Sequence, residues 1–189
     1  MQMNIQSHLS CKKLTLAATG LLAGLGIFAA ANPCSAQDAV AISGSFDCTY
    51  TKKEVSPIGA AADAHILMLD VCRGKNTNKG ATDYMAGASV QDQEIIDLTQ
   101  GNGPDLGYCT IAKGADSIRV RYEGQIATTL NANKTPNTTL NGKWTFVAGA
   151  GQYAGVAGSG TYTGKMVSQA TYHVDWTGSY SLESPTAAK

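Results

Sequence analysis

Asp70 is a carboxylate set inside an apolar run, His65-Ile66-Leu67-Met68-Leu69-Asp70-Val71-Cys72-Arg73. A carboxylate in an apolar setting resists ionisation, so its pKa rises and it can serve as a general acid or base. Tyr50 lies at the corresponding depth of the preceding extended segment and could share that proton chemistry. His65 opens the run and is the nearest histidine. These three are the catalytic candidates. The competing reading of Asp70 is an ion pair with Arg73 or Lys52 at a strand end, which would stabilise little.

A second set of residues suits binding rather than reaction. Phe46, Tyr50, Tyr122, Trp144, Phe146, Tyr172, Trp176 and Tyr180 recur on the apolar faces of alternating segments. Together they could line an aromatic pocket for a small apolar or aromatic molecule, with hydroxyls to orient it. They could equally be plain core. His173 with Asp175, and Arg119 with Arg121, fall on the opposite, polar faces, where solvent or a second subunit is the simpler partner. No Ser or Cys is spaced to complete a triad with them. Asn133-Lys134-Thr135 and Asn137-Thr138-Thr139 match glycosylation acceptors, but they also read as a polar turn.

Cys48, Cys72 and Cys109 have no second Cys or His at ligand spacing, so no metal site is expected. Two extended segments flank the turn-like stretch Ser56-Pro57-Ile58-Gly59-Ala60-Ala61. A hairpin centred near residue 60 sets Cys48 opposite Cys72, close enough for a disulfide at a non-hydrogen-bonded pair. It also sets Asp70 opposite Tyr50. Cys109 is left as a free thiol. Three reduced, buried cysteines are the alternative.

These side chains must be held by strands. Ile42, Gly44, Phe46, Cys48 and Tyr50 alternate with polar residues. So do Ile118, Val120, Tyr122, Gly124 and Ile126, and so do Tyr172, Val174, Trp176, Gly178, Tyr180 and Leu182. Period two with one apolar face is the mark of a half-buried strand. Less regular strands fit 64–73, 83–98, 106–113, 139–148 and 159–168, with 90–98 also readable as a short helix. Gly, Pro and Asn punctuate the breaks at 74–80, 100–107, 114–116 and 131–137. Eight short strands at this spacing predict an all-β fold, an eight-stranded antiparallel β-barrel, wide enough inside for side chains or one small ligand. Glycines within the strand patterns (Gly44, Gly124, Gly142, Gly164, Gly178) mark bends, bulges or close approaches.

The stretch Gly149-Ala150-Gly151-Gln152-Tyr153-Ala154-Gly155-Val156-Ala157-Gly158 is no nucleotide loop. Three residues separate Gly151 from Gly155, there is no Gly-Lys-Ser/Thr, and a strand-like Thr161-Tyr162-Thr163 follows where a helix would be needed. It resembles the glycine-rich motif of the dirigent and allene oxide cyclase barrels. Gly149, Gly151, Tyr153, Gly155 and Gly158 match in order, while Ala148 and Ala150 depart from the family's first Gly and its Thr. The resemblance implies an eight-stranded barrel with a mostly apolar cavity, often in dimers or trimers. It also implies cofactor-free steering of a coupling or cyclisation. The family's acidic catalytic residues do not align onto this chain, so the resemblance assigns none.

The chain has 189 residues, with 14 basic against 14 acidic side chains and 21 glycines. Zero net charge excludes a broad electrostatic footprint for nucleic acid or an anionic membrane. Lys12 and Lys13, the apolar run 14–31 and Asn32-Pro33-Cys34-Ser35-Ala36 read as a signal peptide cut after Ala36. That leaves one barrel domain over 37–189, secreted or periplasmic, without a membrane in its mature form. The leading function is binding of a small apolar or aromatic molecule in the lumen, with no cofactor. A cofactor-free cyclase, isomerase or stereo-directing enzyme is the alternative, which a buried lumen carboxylate would favour. A structural barrel acting through its surface or as a homo-oligomer is a third reading. An outer-membrane barrel is a fourth, and it would turn its apolar faces to lipid.

Overall fold

The computed structural model describes residues 38–182. The expected leader 1–36, with Cys11 and Cys34, lies outside the described residues. Eight strands follow in order: β1 Val40–Ile58, β2 His65–Asn78, β3 Ser89–Thr99, β4 Gly103–Lys113, β5 Asp116–Leu130, β6 Pro136–Ala150, β7 Val156–Met166 and β8 Thr171–Leu182. Each is antiparallel to the next, and β8 pairs back on β1 from Val40↔Tyr180 to Thr49↔Thr171. The sheet is a closed barrel in sequential strand order. Closure leaves no edge strand to pair with another chain.

Turn chemistry explains the meander. Gly114 takes φ +63° in the two-residue turn between Lys113 and Asp116. Gln100 and Gly101 take φ +53° and +77° between Thr99 and Asn102, so both central residues are left-handed, as a tight hairpin turn requires. Alternation then decides what lies inside. The aromatic faces of β1, β5, β6 and β8 point into the lumen, and Ser, Thr, Lys, Arg and Asp occupy most of the outside. That is the reverse of the arrangement a lipid-facing barrel needs.

Of the two readings of 90–98, strand and short helix, the structure shows the strand: Val90, Asp92, Glu94 and Ile96 are buried while Gln91, Gln93, Ile95 and Asp97 are exposed. Pairing with β2 and β4 fixes it. One expectation is corrected: the β1–β2 register is displaced by two residues. Cys48 faces Gly74, and Tyr50 faces Cys72. Both strands run further than expected, β1 to Ile58 and β2 to Asn78, and Thr51 is an extra, bulged residue. The Cys48–Cys72 disulfide forms nonetheless, as a diagonal pair with Cα atoms 5.5 Å apart. Cys109 is free and buried.

The β2–β3 connection, 79–88, folds over one end of the barrel. Asn76, buried on β2, holds it by donating from Nδ2 to the Met85 carbonyl at 3.0 Å and accepting from Trp176 Nε1 at 3.2 Å. Tyr84 is thereby inserted between Tyr153 and Tyr180, each at 5.2 Å between ring centroids. This aromatic plug caps the end where β1 begins.

Candidate functional site

Inside the barrel, toward the end away from that plug, four acids point inward. Asp70 is on β2, Asp92 and Glu94 are on β3, and Asp105 is on β4; they are 4, 4, 7 and 1% exposed. Register brings them together. Asp70 faces Glu94 directly, and Asp105 is the diagonal neighbour of Glu94, two pairs beyond Gly107. Asp92 and Glu94 share a strand face, which separates their Cα atoms by roughly 6.7 Å.

Tyrosines from the far wall reach these acids. Asp92 Oδ2 accepts from Tyr172 at 2.7 Å and from Tyr122 at 2.9 Å, and its Oδ1 accepts from the Gln93 backbone N–H at 3.1 Å. Asp105 Oδ2 accepts from Tyr162 at 2.7 Å. The Tyr172 hydroxyl also lies 2.9 Å from Cys72 Sγ. A disulfide sulfur carries no proton and the hydroxyl carries only one, which the carboxylate holds. Both oxygens of Asp70 have no partner.

Glycines make this reach possible. A Cβ on Gly107 would stand 2.5 Å from the Tyr122 hydroxyl, and one on Gly142 would stand 2.6 Å from that of Tyr162. A Cβ on Gly124 would meet both the Tyr162 hydroxyl and, at 2.8 Å, Asp105 Oδ1. Tyr122 and Tyr162 therefore lie across glycines on neighbouring strands to meet their acids. The indoles use the same device: Trp144 lies over Gly160 and Gly178, and Trp176 lies over Gly44.

Burial raises the pKa of every acid in the cluster. Asp92 is pushed up by burial to about 6, with the Tyr172 and Tyr122 hydrogen bonds restraining the rise. Asp70 is pushed up to about 7 by burial and by the charge of Asp92. Glu94 is held well above the usual carboxylate range by burial and by its acidic neighbours, Asp92 first. Asp105 is raised by burial against hydrogen bonds from Tyr162 and from the neighbouring Glu94 carboxyl. Four such groups cannot all ionise in one apolar enclosure. Asp92, with three donors, is the best stabilised of the four as an anion, while burial and its acidic neighbours hold Glu94 toward its protonated form. Burial also raises Tyr122, Tyr162 and Tyr172, so they remain donors. It raises the Cys109 thiol too, which stays protonated and a poor nucleophile.

Asp92, Glu94 and Asp105 face a cavity of about 70 Å³ walled chiefly by Phe46, Tyr122, Trp144, Phe146, Tyr172 and Trp176. At ~15 Å³ per water, that is room for on the order of five waters. These six aromatics are among the eight expected at the site. Tyr50 lies beside the wall instead, packed on Tyr172 at 5.6 Å, and Tyr180 belongs to the plug. Among the catalytic candidates, Asp70 enters the lumen. It faces Lys53 rather than Tyr50, and it forms neither of the ion pairs weighed for it. His65 stays outside the lumen, hydrogen-bonded through Nε2 to Asp97 at 2.6 Å. His173 lies on the exterior, between Asp47 at 2.8 Å and Asp175 at 3.4 Å. Among the described residues no group of three or more His, Cys, Asp or Glu side chains forms a metal site.

Asp92, Glu94 and Asp105 were not found from sequence. The signal was present in β3, where Asp92 and Glu94 keep the parity of Val90 and Ile96. It was masked because Ile95 stands on the opposite face, and because Asp105 fell in a stretch rich in turn formers.

No family model and no curated protein matches this chain. Among solved structures it is similar to the pterocarpan synthase dirigent protein GePTS1, with a TM-score of 0.46 and 11% identity over 77% of this chain and 90% of that one.

Proposed function

We propose that this protein is an exported, cofactor-free catalyst that moves a proton on a small, largely apolar molecule held in the barrel lumen, as a cyclase or isomerase does. One observation carries the reading: two buried acids in unlike surroundings, Asp92 with three hydrogen-bond donors and Glu94 among acidic neighbours, face an aromatic-walled cavity. Environments that push two acids apart in pKa supply a base and an acid at one pH. Asp92, ionised near neutrality, accepts a proton from the substrate. Glu94, still protonated, donates one at a second atom. Proton return from Asp92 to Glu94, neighbours on one strand face, restores both. The aromatic wall fixes one conformer and excludes water, which strengthens the electrostatics inside. The Cys48–Cys72 disulfide supports export, since such bonds persist in oxidising compartments.

5-Nitrobenzisoxazole tests this without knowledge of the natural substrate. A base removes its ring C–H proton, the N–O bond breaks, and a coloured cyanophenolate forms. The expected rate exceeds that of free acetate by at least about a hundredfold, in line with a positioned base. It rises as pH passes about 6, where Asp92 ionises. Asp92→Asn loses it while keeping the strand circular-dichroism spectrum. Tyr172→Phe, with one donor to Asp92 removed, shifts the midpoint to higher pH. A rate no greater than acetate's, or full activity in Asp92→Asn, would overturn the reading. The second reading, binding without chemistry, is favoured by the aromatic wall alone and predicts that the probe binds unchanged.

A further inference from the structure

The hydroxyl and indole N–H groups of the cavity wall are almost all used by the protein itself. Tyr122 and Tyr172 donate to Asp92, and Tyr162 donates to Asp105. Trp144 Nε1 donates to the Thr161 carbonyl at 3.2 Å, and Trp176 Nε1 donates to Asn76 Oδ1 at 3.2 Å. The Glu94 and Asp105 carboxyls are hydrogen-bonded to each other. Tyr84 is the exception. It is 3% exposed and forms part of the cavity wall, yet its hydroxyl meets no partner among the described residues. Burial raises its pKa, so the hydroxyl keeps its proton and remains a donor. A buried donor without an acceptor costs free energy until one arrives.

The Tyr84 side chain is also held in place. Asn76 anchors the 79–88 connection through the Met85 carbonyl and the Trp176 indole. The Tyr84 ring packs between Tyr153 and Tyr180, each at 5.2 Å, and meets Trp176 edge-on at 6.0 Å. A donor fixed in advance loses little freedom when a ligand binds. The acids lie toward the other end of the lumen, so Tyr84 decides what the plug end of the cavity accepts. A hydrocarbon end would leave the hydroxyl unpaired. A carbonyl oxygen accepts its proton without bringing another proton that needs a partner.

We propose that Tyr84 selects a ligand with a carbonyl oxygen at its plug-side end, carried on a small aromatic or apolar body. The Tyr84 hydroxyl donates to that oxygen, while the body packs against Phe46, Trp144 and Trp176. The 79–88 connection is then the part of the fold that sets this preference. The proposal rests on the lumen being the ligand site and adds the functional group that the site reads.

Equilibrium titration of the full mature barrel with acetophenone and with 2-phenylpropene, in which a methylene replaces the carbonyl oxygen, tests this at nearly constant shape. Tyr84→Phe is expected to weaken acetophenone binding about fivefold or more, the size of one net hydrogen bond, and to leave 2-phenylpropene binding unchanged. The infrared carbonyl stretch of bound acetophenone, lowered by the donor, is expected to rise in the variant. The unliganded variant is expected to unfold at the same urea concentration as the parent protein or a higher one, because the hydroxyl it lacks has no partner. Equal changes for the two compounds, or none, would overturn the proposal and leave the lumen as a ligand site. A lower urea midpoint would also overturn it, by revealing a structural partner for the hydroxyl. Binding of neither compound to the parent protein would overturn the lumen reading as well.

Discussion

At the scale of single residues, pH should act on this protein in an unusual direction. Asp70 and Asp92 have folded-state pKa values of about 7 and about 6, above their ordinary value. An acid raised on folding binds its proton more tightly in the native state. Its contribution to stability is therefore complete below the unfolded pKa and is lost as pH rises through the folded one. The denaturant midpoint is expected to fall as pH rises from about 4, the ordinary carboxylate value, to about 7, and to level off above that. Asp70→Asn should flatten that slope and stabilise the protein at pH 8 by about 1 kcal/mol, because it removes a buried carboxylate with no partner. Urea unfolding at several pH values checks both, and a slope unchanged by Asp70→Asn would contradict the assignment. Asp70 was legible from sequence because it interrupts an apolar run. Asp92 and Glu94 were not, because polar residues on a strand are assigned to solvent unless the register of the whole sheet is known. His65, attractive beside Asp70 in sequence, sits at a strand start where the chain reaches the barrel rim, and its ring pairs with Asp97 outside.

At the scale of elements, the glycines carry the explanation. Strand glycines read from sequence as bends or close approaches, and the close approach proves the more informative. Gly107, Gly124 and Gly142 let Tyr122 and Tyr162 cross a neighbouring strand to reach Asp92 and Asp105. Gly124→Ala is expected to cost at least about 2 kcal/mol, since the new methyl group overlaps Asp105 and the Tyr162 hydroxyl. Gly114→Ala, in an open turn with nothing within 4 Å, pays only for its φ of +63°, about 1 kcal/mol. Thermal or chemical denaturation of the two variants compares them directly; equal costs would mean that the tyrosine crossing is not what requires the glycine. The disulfide was legible because two cysteines lay in adjacent extended segments. Its register was not, because the bulge at Thr51 and the extension of both strands shift the hairpin, and no residue of the turn signals either.

At the scale of the whole molecule, the closed barrel follows from local rules. Period-two faces and sequential antiparallel pairing leave a meander whose only way to bury every apolar face is to close on itself. That much was visible in the chain. What the chain did not display was the division of the interior into an aromatic plug, an aromatic cavity and an acidic floor. This division depends on which residues from distant strands come to the same depth. The chemistry of the lumen therefore depends on the ionisation of this floor. A carbon-13 NMR titration of the Asp and Glu side-chain carboxyls in the uncomplexed protein measures it site by site. Midpoints near 6 for Asp92 and near 7 for Asp70 are expected, with Glu94 titrating well above the usual carboxylate range. All four carboxyls titrating near 4, as solvated acids do, would contradict that.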